Sequence, residues 1–271
     1  MNNDEDLPKI YLLPNLMTAG NLFCGFYATL RILEGALLRG NGDVSIDKFH
    51  HAIGFILGAC IFDLLDGRLA RMGGSESEFG REFDSLADIV SFGVAPALLI
   101  YWIVLRDFDQ GWMIAFLYLV CGAMRLARFN CIAAKGTGAD KDFRGFPIPA
   151  AAGVISSVTL FILWLEQSER ELGNWKYLLL ALMVFLSFMM FSRFRYPSFK
   201  ALNWKTKKSI PRFLVIVLLL IFTVKKYMWM PAVIFIAYLL YGFLRPWLSR
   251  QMRQEFEDED EEEENAPPPL Q

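Results

Sequence analysis

The sequence predicts an all-α protein that crosses a membrane several times. Hydrophobic residues make up 55% of the 271 residues, and they occur in long blocks instead of amphipathic stripes. Each block approaches about 20 residues, the length that a helix needs to cross roughly 30 Å of hydrocarbon. The short alternating strands of a membrane barrel are absent, so helices must satisfy the backbone hydrogen bonds. An ordinary soluble domain is thereby excluded.

Eight apolar segments are predicted to span the membrane. The third begins with aspartates, and the last two are separated only by a tight turn at Lys225 and Lys226. The eight segments are residues 15–37, 49–69, 84–105, 111–132, 148–166, 174–192, 211–226 and 229–248. The acidic end "EFEDEDEEEENAPPPLQ" has too little apolar surface to form a core, so we expect a solvated tail.

Lysine and arginine are concentrated in alternate connections between these spans. The basic stretches are residues 68–81, 125–144 and 193–212, whereas the connections at 39–48, 106–110 and 167–176 carry fewer cations. Because cytoplasmic loops are rich in Lys and Arg, an even number of spans puts both termini in the cytoplasm with the basic loops. A basic face also suits anionic lipid or a phosphate-bearing substrate, although membrane orientation alone accounts for most of it.

Cysteine and histidine offer little chemistry in this sequence. The four cysteines form no CxxC pair and lie within or beside predicted spans, which is typical of reduced, small apolar side chains. His50 and His51 are adjacent and are predicted to lie on the side opposite the aspartates. A histidine-based metal site or a Ser-His-Asp triad is therefore not expected, and no nucleic-acid partner is predicted.

The stretch "DLLDGRLARMGGSESEFGREFDSLAD", residues 63–88, brings many charges to the edge of an apolar segment. On a helix, Asp63 and Asp66 lie along one side, and Asp84 and Asp88, four residues apart, also share a face. The sequence "MGGSES" between them predicts a flexible turn that lets the two helices lie antiparallel. Two carboxylates from each helix are therefore expected to meet.

Four carboxylates at this depth require positive charge among them, because each ionised group near the membrane core costs roughly 2.5 kcal/mol or more. One interpretation is pairing with Arg68, Arg71 and Arg81. The other is binding of divalent metal, for which oxygen ligands favour Mg²⁺ or Mn²⁺ over Zn²⁺. Gly67 and Ala70 would leave room for a large headgroup beside a metal site; alternatively, they are simply small residues that pack helices in a membrane.

The same stretch resembles the signature of the CDP-alcohol phosphotransferase family, D-x-x-D-G-x-x-A-R-x(8)-G-x-x-x-D-x-x-x-D, at every fixed position. The resemblance implies an integral membrane enzyme with a six-helix core, usually a homodimer, to which the last two spans are additions. It implies that Asp63, Asp66, Asp84 and Asp88 ligate two divalent ions, Mg²⁺ or Mn²⁺, and that Asp88 also acts as the general base.

Contacts to the CDP-lipid are implied by the same resemblance. Gly67 and Arg71 would contact the CDP moiety, and Ser77 occupies a further position that contacts the nucleotide-lipid in the family. The segment "PNLMT", with Asn15 and Thr18, is similar to the family's other nucleotide-facing segment. These residues are expected to lie at the cytoplasmic ends of their helices.

Three further stretches bear on the acceptor alcohol, namely "RLARFN" (125–130), "FRGFPIPAAA" (143–152) and "FRYPSFK" (194–200). By physical chemistry alone they are cytoplasmic anchors with prolines that start or kink helices. Together with "FDSLADIVSFGVAPA" (83–97) they resemble the phosphatidylserine synthase branch of the family. This implies transfer of a phosphatidyl group from CDP-diacylglycerol to the hydroxyl of L-serine, with the serine carboxylate bound by residues among Arg125, Arg128, Lys135 and Arg144.

Other functions remain open at this point. Within the family, glycerol-3-phosphate or inositol phosphate would serve as the acceptor if the basic cluster formed a phosphate site. Outside it, a carboxylate-lined transporter for divalent cations would need acidic residues in the membrane, although it gives no reason for the D-G-x-x-A-R spacing.

The chain is thus expected to have four parts: a cytoplasmic segment 1–14, a catalytic membrane domain 15–200, additional helices in 201–250 and the acidic tail 251–271. We expect a bacterial cytoplasmic membrane as its location, with the active site on the cytoplasmic side.

Overall fold

The computed structural model describes residues 12–38, 42–72, 77–134, 143–167, 175–192, 195–196 and 225–244. Helices dominate these ranges, as the sequence predicts, with one short strand pair. The α-helices are α1 (Leu12–Leu37), α2 (Gly42–Met72), α3 (Glu78–Asp88), α4 (Ala95–Ile103), α5 (Gly111–Ala134), α6 (Ile148–Gln167), α7 (Trp175–Phe191) and α8 (Met230–Leu244). The strands are β1 (Phe143–Arg144) and β2 (Arg195–Tyr196), which pair antiparallel.

Five helical segments are long and apolar enough to cross a membrane. They are Leu12–Leu37, Ser45–Gly67, Glu78–Ile103, Gly111–Ile132 and Ile148–Leu165. Two shorter apolar helices, Tyr177–Phe191 and Met230–Tyr241, correspond to the sixth and eighth predicted spans. The seventh prediction, 211–226, lies almost entirely outside the described residues, so the multi-pass, all-α class is confirmed whereas the number eight stays a prediction.

The third span is built from three consecutive pieces. Helix α3 passes into a π-helical turn, Ile89–Val94, and this turn continues into α4. The amide of Ala95 donates to the carbonyl of Val90, five residues earlier, which is the wide hydrogen bond of a π-helix. Pro96 has no N–H to donate to the carbonyl four residues before it, so it removes one α-helical bond at this point.

Helix α6 is the central helix of the bundle. Its residues from Ala150 to Leu160 are all buried, and it contacts α2, α7 and α8. Small residues allow this packing: a methyl group built on Gly153 would lie 2.3 Å from the Phe235 ring of α8. Helix α8 therefore packs its Phe235 ring directly against the backbone of α6 at Gly153.

The two-residue strand pair connects the start of α6 to the end of α7. Phe143 is opposite Tyr196, and Arg144 is opposite Arg195. Gly145 follows with φ of +85°, a backbone conformation that side chains with a Cβ rarely adopt. The chain then turns so that the amide of Phe146 donates to the carbonyl of Met189 at 3.1 Å.

We expect Gly145→Ala to lower the thermal unfolding temperature of the protein in detergent. A Cβ at this position would lie 2.4 Å from the carbonyl oxygen of Met190, and the positive φ adds strain of about 1 kcal/mol or more. Gly58→Ala is the control, because a Cβ there meets nothing within 4 Å. Equal unfolding temperatures for the two variants would contradict this account.

Candidate active site

Three signature aspartates form one cluster between two helices. Asp63 and Asp66 come from the last turns of α2, and Asp84 comes from α3. One carboxylate oxygen from each lies within 4.8 Å of the others. Helical spacing places Asp63 and Asp66 along one side of α2, and most of the predicted turn between α2 and α3, residues 73–76, lies outside the described residues. Three of the four carboxylates expected to meet are therefore grouped, whereas Asp88, the second carboxylate expected from α3, is outside the group.

Helix α1 supplies hydrogen bonds to this acidic group. The hydroxyl of Thr18 lies 3.0 Å from Oδ2 of Asp66, and Nδ2 of Asn21 donates to Oδ1 of Asp88 at 3.0 Å. All four of these residues are buried. The Thr18 hydroxyl also lies 3.2 Å from the carbonyl oxygen of Pro14, and its single proton serves one acceptor at a time. Two neighbouring turns of α1 thus orient one carboxylate of α2 and one of α3.

Asp88 differs from the other three carboxylates in its surroundings. It is not part of the group of oxygens within 4.8 Å, although its charge interacts with those of Asp63, Asp84 and Asp66. One of its oxygens is bonded to Asn21, and the residue is 5% exposed. Asn21 is a neutral donor and bonds only Oδ1, so the second oxygen of Asp88 can accept a proton from another group.

The donor set fits a hard divalent ion. The clustered ligands are carboxylates, which suit Mg²⁺ or Mn²⁺, and neither imidazole nor thiolate belongs to the described cluster. In addition, Oδ1 of Asp84 is buried and has no hydrogen-bond partner. A buried carboxylate oxygen without a partner is costly unless a cation occupies the site. Asp63, Asp66 and Asp84 are therefore the residues that would bind such an ion.

The beginning of α3 forms a second part of the site. Oγ of Ser77 accepts a hydrogen bond of 3.1 Å from the amide of Gly80 and so caps the helix. A Cβ built on Gly80 would lie 3.4 Å from Oδ1 of Asn15, so α1 approaches α3 closely here. Nδ2 of Asn15 is buried and without a hydrogen-bond partner. The predicted nucleotide-facing residues Asn15 and Ser77 therefore lie near one another.

The basic residues predicted for the acceptor are in different environments. Arg125 of α5 is buried, its Nε has no hydrogen-bond partner, and its charge interacts with Asp88 and Asp63. Arg128 instead lies over the ring of Phe191, with 4.8 Å between Cζ and the ring centroid, and contacts the Phe191 carbonyl. Of the other predicted residues, Gly67 follows Asp66 in α2, Lys135 lies outside the described residues, and the structure describes only the backbone of Arg71 and Arg144.

Sequence reasoning missed two asparagines that shape the site. Asn21 lies three residues after Thr18 in an apolar span, and the cost of a polar side chain at that depth could have drawn attention to it. Asn130 of α5 donates from Nδ2 to Oγ of Ser85 at 2.9 Å and to Oε2 of Glu82 at 3.2 Å. Asn130 therefore ties α5 to the helix that carries Asp84.

Comparison with known proteins relates the chain to one protein family. The sequence profile of the CDP-alcohol phosphatidyltransferase family matches residues 11–190, which include all four aspartates and α1 to α6. The chain belongs to this family. Members use divalent metal ions, in agreement with the carboxylate cluster.

Similar proteins of the CDP-alcohol phosphatidyltransferase family come from distant organisms. The CDP-diacylglycerol--serine O-phosphatidyltransferase of Helicobacter pylori is 38% identical over 244 residues, which cover 88% of this chain and 92% of the relative. The archaetidylserine synthase of Methanothermobacter thermautotrophicus is 34% identical over 199 residues, covering 73% and 74%. The CDP-diacylglycerol--serine O-phosphatidyltransferase of Saccharomyces cerevisiae is 39% identical over 149 residues, covering 53% and 51%.

We expect Asp66→Asn to weaken Mn²⁺ binding by about tenfold or more, since the change removes one of the three clustered anionic ligands. Electron paramagnetic resonance titration of the purified protein in detergent measures this affinity without any turnover. Glu78→Gln, which removes an exposed carboxylate from the same region, should leave the affinity unchanged. Equal affinities in the two variants would contradict the assignment of the metal site.

Proposed function

We propose that the protein transfers the phosphatidyl group of CDP-diacylglycerol to the hydroxyl of L-serine, giving phosphatidylserine and CMP. Family membership supports the reaction type, and the names of the relatives from Helicobacter pylori and Saccharomyces cerevisiae support serine as the acceptor. The observation that carries the proposal is the arrangement of the four aspartates. Three carboxylates are clustered, and Asp88, outside this group, is held by a separate hydrogen bond from Asn21.

In the proposed reaction the serine hydroxyl oxygen attacks the β-phosphorus of the CDP-lipid. The bond from that phosphorus to the oxygen of the CMP phosphate breaks, CMP leaves, and the hydroxyl proton passes to Asp88 as general base. Two divalent ions, Mg²⁺ or Mn²⁺, would offset the charge of the diphosphate when bound by the aspartates. Asp63, Asp66 and Asp84 serve as ligands in this proposal, and Asp88 combines ligand and base.

The nucleotide end of CDP-diacylglycerol would contact residues at the cytoplasmic ends of α1, α2 and α3. Asn15 supports this assignment because its side-chain amide is buried without a partner. Ser77 uses its oxygen to cap α3, so its remaining hydroxyl proton would face the substrate. Gly67 and Arg71 remain proposed CDP contacts on their match to the family signature. Thr18 has a second role in this geometry, since it orients Asp66.

For the serine carboxylate, the structure favours Arg125 among the four basic residues. Its guanidinium is buried, has a free Nε, and lies near enough to Asp88 for their charges to interact. Arg128 is occupied by the ring and carbonyl of Phe191. Lys135 and Arg144 remain proposed contacts without a structural observation. An acceptor bound by Arg125 would bring its hydroxyl close to the proposed base.

We further propose that the protein lies in a bacterial cytoplasmic membrane as a homodimer, with the site on the cytoplasmic side. The basic connections and the relative from Helicobacter pylori support the location. The division into a catalytic domain 15–200 with added C-terminal helices is in line with the family match to residues 11–190.

Purified protein with Mg²⁺ or Mn²⁺ should release CMP from CDP-diacylglycerol only when L-serine is present. Asp88→Asn should lower this rate by about a hundredfold or more, because the base is lost. Glu78→Gln provides the control and should retain the wild-type rate. Release that ignores serine but responds to glycerol-3-phosphate or inositol phosphate would overturn the serine assignment. No release with any of these alcohols would overturn the proposed reaction and leave the cation transporter to be tested by metal flux.

Arg125→Gln should raise the KM for serine by about tenfold or more, since a charge-assisted hydrogen bond contributes about 1.5 to 3 kcal/mol. The affinity for CDP-diacylglycerol, measured by lipid binding, should change much less. Arg128→Gln is the matched control on the same helix, one turn away and already engaged with Phe191. A larger rise in the serine KM for Arg128→Gln than for Arg125→Gln would reverse the assignment.

A further inference from the structure

The π-helical turn begins directly after Asp88, in the middle of the third span. Such turns are rare in helices and are frequent at functional sites, because they shift the direction of the side chains on either side. The middle of the turn is enclosed here: Ser91, Phe92 and Gly93 are buried, and the residues on either side of them are half-buried. Helices α1 and α5 both contact this turn, as does α6.

Helix α1 approaches this turn so closely that there is no room for a Cβ between their backbones. Oγ of Ser91 donates to the carbonyl oxygen of Asn21 at 2.9 Å. One helical turn further along α1, a Cβ built on Gly25 would lie 2.2 Å from Oγ and 2.5 Å from Cα of Ser91. The backbone of the turn therefore rests against a position where any residue with a Cβ would displace it.

Helix α5 makes a separate hydrogen bond to the turn. The hydroxyl of Tyr118 donates to the carbonyl oxygen of Phe92 at 3.0 Å, and Tyr118 is fully buried. Phe92 lies four residues before Pro96, which has no N–H to bond that carbonyl. Tyr118 therefore supplies the hydrogen bond that the proline cannot give, from a different helix.

These contacts are linked to the Asp88 carboxylate by Asn21. The side chain of Asn21 donates a hydrogen bond to Asp88. The backbone carbonyl of Asn21 accepts one from Ser91, which lies three residues after Asp88. Two hydrogen bonds from one residue of α1 thus hold the last residue of α3 and the π-helical turn at a fixed spacing. Any shift of the turn relative to α1 would alter the position of Asp88.

We propose that Gly25, Ser91 and Tyr118 are positioning residues that hold the π-helical turn against α1 and α5 and thereby fix the Asp88 carboxylate relative to Asp63, Asp66 and Asp84. None of the three is part of the acidic cluster, and they act through Asp88. The inference rests on the proposed function for the part that Asp88 plays as base and ligand. The inference adds that the site needs the π-helical turn of the third span to place Asp88 correctly.

The first test compares Gly25→Ala with Gly54→Ala. Both replace a glycine within a helix, but a Cβ on Gly54 meets nothing within 4 Å. We expect Gly25→Ala to weaken Mn²⁺ binding by about fivefold and to lower kcat by about tenfold or more, at a temperature well below its unfolding transition. Gly54→Ala should match the wild type in both measurements. If Gly25→Ala lowers only the unfolding temperature, the contact is purely structural and the inference is wrong.

Tyr118→Phe is a second variant, which keeps the ring and removes only the hydroxyl that bonds Phe92. It should lower kcat in the same direction as Gly25→Ala, with a smaller loss of stability, and it decides the matter if Gly25→Ala does not fold. Wild-type kcat and Mn²⁺ affinity in Tyr118→Phe would overturn the role of α5.

A double-variant cycle tests whether the effect passes through Asp88. In protein that carries Asp88→Asn, adding Gly25→Ala should cause no further loss of Mn²⁺ affinity. An equal loss with and without Asp88 would contradict the proposed link. Since Mn²⁺ titration needs no turnover, this result stands even if the wild type fails to use serine, so failure of the proposed function and failure of this inference are distinguishable.

Discussion

The site depends on the cost of placing four carboxylates at the end of apolar helices. Like charges repel strongly where little water is present, so each carboxylate needs a donor or a cation that reaches it. Helix α1 supplies donors at two successive turns, to Asp66 through Thr18 and to Asp88 through Asn21. The same helix packs extensively along α2 and also against α3. Helix α1 therefore holds α2 and α3 in fixed positions relative to each other, so that their aspartates lie close together.

The sequence was sufficient to predict the helical, multi-pass class, the five long apolar helices and an approach of carboxylates from α2 and α3. Those features follow from local properties, namely apolar length and the angle between residues three or four apart. The sequence could not predict that Asp63, Asp66 and Asp84 form one close group while Asp88 stays at its edge. That distinction arises from hydrogen bonds between residues far apart in the chain, such as the 67 positions between Asn21 and Asp88.

The π-helical turn could not be predicted from the sequence either. Pro96 indicates a break in the hydrogen-bond ladder, but a kink, a 3₁₀ turn or a π-helical turn would each satisfy that requirement. The choice is made by partners on other helices: Tyr118 bonds the carbonyl of Phe92, and Gly25 gives Ser91 the space to approach α1. Local sequence thus creates the opportunity for an irregular helix, and tertiary contacts determine its form.

Charge also bears on the kind of acceptor that the site accommodates. Among the described residues classed as buried, Arg125 is the cationic side chain, and its charge already interacts with Asp63 and Asp88. A zwitterionic amino acid adds no net charge to this environment, because its ammonium group can approach a carboxylate while its carboxylate approaches Arg125. A phosphorylated alcohol would add about two negative charges at neutral pH, which the single positive charge of Arg125 would not balance. Among the described residues, the balance of buried charge therefore suits a zwitterionic acceptor such as serine.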